Sequence, residues 1–281
     1  MQFKSSARPS PIAGTWYTSD PEVLRREIDG YIDRAKISKD EITGKIIGLV
    51  SPHAGHRYSG RTAGYAYRLV KGEEKELVVI LSPFHQYHPA DLITTAHRSY
   101  ITPLGEVHVD KESLSQLQEG LVNEDILIQQ IASDPEHSLE IQLPFLQRCL
   151  DGEFKLLPLM VRSRDPITLK KVADALSTVI AEKSYMVIAS TDLSHFFPLD
   201  IAEEMDAEML TRIKELDPEG VLAAESSGRA SACGASAVAV MLWMGLNAGA
   251  KHSHILNYST SADATGDTSS VVGYGSAAVA I

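Results

Sequence analysis

The sequence predicts an α/β fold: a single layered domain over residues 1–281, with a central β-sheet flanked by helices. Three observations carry this. Short, wholly apolar runs alternate along the chain with amphipathic stretches, the pattern of a buried sheet covered on both faces. The apolar runs come from both ends of the chain, so one sheet must collect them. No Pro/Ser-rich linker or low-complexity tract divides the sequence. A length of 281 residues suggests two domains on size alone, but single α/β domains reach it.

Taken in order, residues 21–35 read as a helix and residues 45–50 as a buried strand. A helix follows at 60–71, with Ala63, Tyr67 and Val70 at helical spacing. Residues 77–81, Leu-Val-Val-Ile-Leu, form the clearest strand. Helices are expected at 111–119 and 135–150, the second with Asp134 as N-cap and Pro135 in its first position. Strands at 154–161 and 185–189 alternate with helices at 166–181 and 201–215. Residues 219–231 read as a connection, 234–248 as a helix, and 254–258 and 271–281 as closing strands. Residues 230–250 carry no charge and are long enough to cross a bilayer. They are rich in Gly and Ala and contain Ser231, Ser236 and Asn247, so they read as a helix of the core.

Composition narrows the partners. A net charge of −11 repels phosphate backbones and anionic membrane surfaces, which argues against nucleic-acid binding and a polybasic membrane anchor. Two cysteines, Cys149 and Cys233, make no disulfide framework and fit a reducing compartment. Residues 1–14 hold no apolar stretch of signal-peptide type, so a cytoplasmic location is expected.

Ten histidines stand out, and their positions matter more than their number. Three buried strands run into the same chemistry: Ser51-Pro52-His53-Ala54-Gly55-His56, Ser82-Pro83-Phe84-His85 and Ser190-Thr191-Asp192-Leu193-Ser194-His195. In open α/β sheets ligands bind beyond the carboxyl ends of the strands, where His53, His85 and His195 would converge. The prolines stiffen two of these turns by fixing φ. A single histidine after a strand is commonly a hydrogen-bonded loop residue; three in matching positions point to a site. Cys233, just before Gly234 at the start of the uncharged helix, is either a small buried hydrophobe or a ligand. On the second reading the helix N-terminus lowers its pKa. Asp192 could orient an imidazole from the outer shell or cap a helix beginning near Leu193. His137 and Glu140, three apart on the 135–150 helix, share a face and suit a proton shuttle, a metal or an interhelical hydrogen bond. His97, His108, His252 and His254 read as structural or solvated.

No dinucleotide fingerprint, phosphate loop or Gly-x-Ser-x-Gly elbow is present, and two cysteines cannot hold an iron–sulfur cluster on four thiolates. A mononuclear metal site or a Cys/His nucleophile remains.

The strings Ser51-Pro52-His53-Ala54-Gly55 with Tyr58-Ser59-Gly60, Glu136-His137-Ser138-Leu139-Glu140 with Gln142-Leu143-Pro144-Phe145, Thr191-Asp192-Leu193-Ser194-His195 and Cys233-Gly234 resemble the Memo family. So does the early Ala13-Gly14-Thr15-Trp16-Tyr17, and the motifs follow the family's order to the C-terminus. Archaeal and bacterial members are often labelled protein B of the AmmeMemoRadiSam system. The resemblance implies a fold like that of the class III extradiol dioxygenases. It implies a metal site lined by His53, His85 and Cys233, with His195 and Asp192 beside it. The family is linked to copper or iron binding, oxidant chemistry and, in animals, phosphotyrosine-peptide recognition and cell motility. The ring-cleaving enzymes hold Fe(II) with two histidines and a carboxylate, whereas the third candidate here is a thiolate. Sulfur favours Cu(I), zinc or iron and puts ring cleavage in doubt.

Three functions compete on this reading. The first is a metal-dependent oxidoreductase on a small molecule, with iron or copper, or else zinc, on His53, His85 and Cys233, His195 as acid/base and Asp192 orienting it. The second is a metal- or peptide-binding protein using the same pocket without turnover. The third is a metal-free hydrolase with Cys233 as nucleophile.

Overall fold

The computed structural model describes residues 6–281. The chain opens with helix α1 (Pro21–Arg34), strand β1 (Ile46–Ser51), helix α2 (His56–Arg68) and strand β2 (Leu77–Ser82). Four short strands follow around one helix: β3 (Leu92–Thr95), β4 (Ser99–Thr102), β5 (Gly105–His108), α3 (Lys111–Val122) and β6 (Ile128–Ile131). Next come α4 (Leu143–Cys149), β7 (Lys155–Val161), α5 (Pro166–Ile180), β8 (Tyr185–Ser190) and β9 (His195–Phe197). The last part holds α6 (Leu199–Lys214), α7 (Pro218–Ser226), α8 (Ala235–Asn247), β10 (His252–Thr260), α9 (Ala262–Thr265) and β11 (Val271–Ala280).

The main sheet has the order β10-β11-β1-β8-β2-β7-β3-β6, with β9 paired to β11 and a separate β4–β5 hairpin. Its centre, β1-β8-β2-β7, is parallel, and β11 and β3 flank it antiparallel. Parallel strands must be covered on both faces, which is why β1 and β2 are buried at every residue. Helices α1, α2 and α4 pack together as one layer, and α3, α5, α8, α7 and α6 form the chain of contacts that covers the other. Among the latter, α8 lies across the parallel centre: a Cβ at Gly48 of β1 would fall 3.0 Å from Met241 Sδ of α8. The uncharged segment is therefore a core helix, and no helix among the described residues is long and apolar enough to cross a membrane.

Helix starts follow the Asp-Pro signal in three places. Asp20, Asp165 and Asp217 each accept a backbone N–H of the first turn, with proline at its head. The fourth, Asp134-Pro135, corrects the expected helix over 135–150. Here Asp134 Oδ1 still accepts the Glu136 N–H at 3.0 Å while Arg8 holds Oδ2 at 2.8 Å, but Glu136 Oε1 accepts the N–H groups of His137 and Ser138 at 2.9 Å each. Local side-chain acceptors thus replace helical ones. Residues 134–139 stay irregular, a 3-10 turn forms at Glu140–Gln142, and only then does α4 begin.

Two further expectations change. Residues 219–231, read as a connection, hold most of α7. No helix begins near Leu193: its N–H pairs with the Gly273 carbonyl at 2.8 Å, and the chain continues into β9 against β11. Strands β3 and β6 escape the sequence reading because each is four residues long.

Candidate metal centre

The carboxyl ends of β1, β2 and β8 lie side by side and bring the turns that follow them together. His53 follows β1 by two residues and is 1% exposed, while the side chain of His85, in the turn after β2, is 37% exposed. His137 arrives from the irregular loop before the 3-10 turn and is half-buried. The three rings each offer a nitrogen within 4.8 Å of the others. Ring centroids are 5.3 Å apart for His53–His85, 5.4 Å for His53–His137 and 4.7 Å for the stacked pair His85–His137. A transition-metal ion takes each imidazole nitrogen at about 2.0–2.1 Å, so nitrogens this close are candidates to share one.

Cys233 joins them: its Sγ is 3.1 Å from His53 Nε2 and 3.3 Å from the backbone N of Asp192. Gly234 makes this approach feasible, since a Cβ there would sit 2.3 Å from the Ser190 carbonyl oxygen. The expected thiol acidification does not hold. Burial, then the Asp192 charge, push the Cys233 thiol up, so without a metal it is a thiol in contact with Nε2.

Glu136 is the carboxylate behind the imidazoles, and it was given no role from sequence although it adjoins His137. It accepts from His85 Nδ1 at 3.0 Å and from the His85 backbone N at 2.6 Å, and lies 3.2 Å from His137 Nδ1. Burial alone would raise this carboxyl, yet the hydrogen bond and charge of His85 hold it well below the usual range. In return, burial lowers the His85 pKa but the Glu136 hydrogen bond outweighs it and the net shift is upward. Carboxylate-backed imidazoles are more basic and better oriented ligands. His53 is pulled well down by burial and by the neighbouring imidazoles, and His137 to about 4 by burial despite the Glu136 charge.

Asp192 is buried and turns inward: Oδ1 accepts the backbone N–H groups of His53 at 2.7 Å and Ala54 at 3.3 Å. It therefore orients the His53 turn, with no helix to cap, and burial pushes its carboxyl up to about 7. His195 lies on β9 beside these groups, half-buried, outside the three-nitrogen cluster; burial and the charge of His85 lower its pKa. Phe196, next to it, adopts φ 65°, a left-handed conformation that a non-glycine residue takes at a cost.

Glu140 does not share a face with His137, because no helix runs through them. It is fully buried and accepts from Arg8, Ser10 and, at 2.6 Å, the Tyr17 hydroxyl. Trp16 packs 4.0 Å from the His137 ring and also walls a cavity of about 590 Å³ with Tyr17, Tyr31, His56 and Arg57.

The fold and site define an α/β protein with a histidine-rich, carboxylate-backed crevice at the carboxyl ends of its parallel strands. The family model described as Memo-like protein matches residues 8–278, and the chain belongs to that family. MEMO1 family proteins of three archaea are similar along nearly their whole length. That of Nitrosopumilus maritimus is 34% identical over 270 residues, covering 95% of this chain and 98% of the relative. That of Methanosarcina barkeri is 32% identical over 269 residues, covering 95% and 97%. That of Methanothermobacter thermautotrophicus is 35% identical over 276 residues, covering 95% and 98%.

Proposed function

We propose that this protein is a mononuclear metal-dependent oxidoreductase acting on a small molecule. The observation that carries the reading is the convergence of three imidazole nitrogens within 4.8 Å, backed by Glu136 and met on one side by Cys233. His53 and His85 hold the metal, with Cys233 and His137 as the further ligands. Iron or copper suits a mixed imidazole and thiolate set best, and zinc is the redox-inactive alternative. When bound, iron or copper supplies one-electron and oxygen chemistry. The dioxygenase-like fold that the Memo resemblance implies supports oxygen as a co-substrate, whereas the thiol disfavours ring cleavage.

The chain's own residues do the rest. Glu136 holds the Nδ1 proton of His85 and keeps the ring oriented. Asp192, with a carboxyl near neutrality, and the half-buried His195 hold or release a proton beside the crevice. Exposure of His85 leaves one side of the cluster open to a small substrate. Anaerobic titration with Fe(II), Cu(I) and Zn(II), followed by oxygen-uptake assays on catechols and thiols, tests this. One tight equivalent, lost in His53→Ala and His85→Ala, and turnover lost with it are expected. Failure to bind any of the three metals refutes the reading; binding without turnover on any substrate leaves a metal carrier.

The 3.1 Å contact between Cys233 Sγ and His53 Nε2 favours a second reading, a metal-free thiol nucleophile with His53 as base. It predicts Cys233 alkylation by electrophilic esters and activity indifferent to chelators. The upward shift of the thiol counts against it.

A further inference from the structure

Behind His53 a buried line of hydrogen bonds decides which of its nitrogens is free. Ser190, the last residue of β8, is fully buried, and its Oγ is 3.0 Å from His53 Nδ1. That hydroxyl has one proton, and the Ser138 carbonyl, which can only accept, takes it at 2.6 Å. The same oxygen accepts from Gln142 Nε2 at 2.7 Å. The Gln142 amide is itself fixed: Nε2 also reaches the Pro52 carbonyl at 3.0 Å, and Oε1 accepts from the Tyr67 hydroxyl at 2.7 Å. With its proton committed, Ser190 can only accept from the imidazole.

We infer that Ser190 and Gln142 are positioning residues that lock His53 as its Nδ1–H tautomer, so that the Nε2 lone pair faces Cys233 and the other two imidazoles. The opposite tautomer would turn the Ser190 hydroxyl toward Nδ1 and leave the buried Ser138 carbonyl without its donor, which is costly. It would also place a proton on the nitrogen the site needs free. The two strand-end histidines are thereby held differently: Glu136, an anion, backs His85, and a neutral hydroxyl backs His53. His53 is thus the less basic ligand of the pair.

The inference deepens the metal-site reading, but the tautomer belongs to the metal-free protein and is read there. The experiment is ¹⁵N-resolved imidazole spectroscopy of the metal-free full chain, with His53 assigned by loss of its signals in His53→Gln. In the wild type, Nδ1 of His53 is expected to be the protonated nitrogen. In Ser190→Ala the Nε2–H form is expected to gain population, and affinity for Fe(II) or Cu(I), each titrated alone under argon, to fall 10–100-fold. Ser82→Ala is the control: Ser82 is an equally buried strand-end serine whose hydroxyl bonds only the neighbouring Pro83 carbonyl at 3.1 Å, and its spectrum and affinity are expected to match the wild type. An Nε2–H tautomer in the wild type, or an unchanged tautomer in Ser190→Ala, overturns the inference. Absence of metal uptake by the wild type refutes the metal reading instead, and the spectra still decide the role of Ser190.

Discussion

Arg8 reaches from the N-terminal segment into the loop that carries Glu136 and His137, and its replacement by methionine tests how that loop is held. The guanidinium is almost fully buried. It pairs with Glu140, contacts Asp134 Oδ2 at 2.8 Å, donates to the carbonyls of Asp134 at 3.1 Å and Glu136 at 2.6 Å, and lies 4.9 Å from the centre of the Tyr100 ring. Methionine keeps much of the stem's volume but strands two buried carboxylates and two carbonyls. Breaking a buried pair from one side costs about 3–5 kcal/mol. Tyr17 and Ser10 still donate to Glu140, which places Arg8→Met near the lower end, about 3 kcal/mol. At about 2–4 °C per kcal/mol this lowers Tm by about 10 °C. Urea unfolding followed by circular dichroism gives the free energy, and hydrogen exchange at the amides of Glu136, His137 and Ser138 reports the loop. Adding Glu140→Gln should recover part of the loss, a coupling of about 1–3 kcal/mol in the double-mutant cycle. A cost below about 1 kcal/mol, judged against the 3–5 kcal/mol typical of broken buried pairs, would show that the clamp described here is not holding the loop.

Three further outcomes follow from the same geometry. Glu136→Gln removes the charge behind His85; metal affinity is expected to fall about 10–100-fold in isothermal titration, and an unchanged affinity would discount the carboxylate. Gly234→Ala forces a Cβ to within 2.3 Å of the Ser190 carbonyl oxygen, so a loss of about 1–3 kcal/mol and faster reaction of Cys233 with a thiol reagent are expected; wild-type stability would contradict the packing. His56 is buried, and desolvation lowers its pKa from 6.5 to about 4. Because the folded pKa is depressed, the unfolded chain binds the extra proton, and stability falls as pH drops from 6.5 toward 4. His56→Gln should flatten the stability–pH profile in that window by up to about 1.4 kcal/mol per pH unit, and an identical slope would refute the assignment.

Much of the site was legible because strand ends are legible. Val-Val-Ile-type runs announce buried parallel strands, and a histidine two or three residues beyond such a run has few places to point other than the crevice. That logic placed His53 and His85 together with Asp192 beside them, but it also expected His195, which lies outside the cluster. Cys233 was reached from the helix start that follows it. It failed at residues 134–140, where the local code for a helix start was present and correct in form. Asp134 does accept the Glu136 N–H, but Glu136 takes the next two N–H groups and Arg8, more than a hundred residues away, ties the loop down, which no local pattern reveals. For the same reason Glu136 was passed over and Glu140 misread: their roles depend on which way an irregular loop turns. Ser190 and Gln142 left no signal beyond their polarity in buried company.

The arrangement of β1 bears on how the protein is made. β1 lies between β8 and β11, so an apolar strand synthesised early must wait for the last third of the chain before either neighbour exists. The contact between His53 and Cys233 spans 180 residues of sequence. His53, His85 and His137 are all made in the first half of the chain, whereas Cys233 comes from the segment just before α8. The imidazoles are therefore made well before the thiol that meets His53. On the proposed metal reading, an ion that binds His53 and Cys233 together, present at a hundred times its dissociation constant, would stabilise the folded chain by about 2.7 kcal/mol.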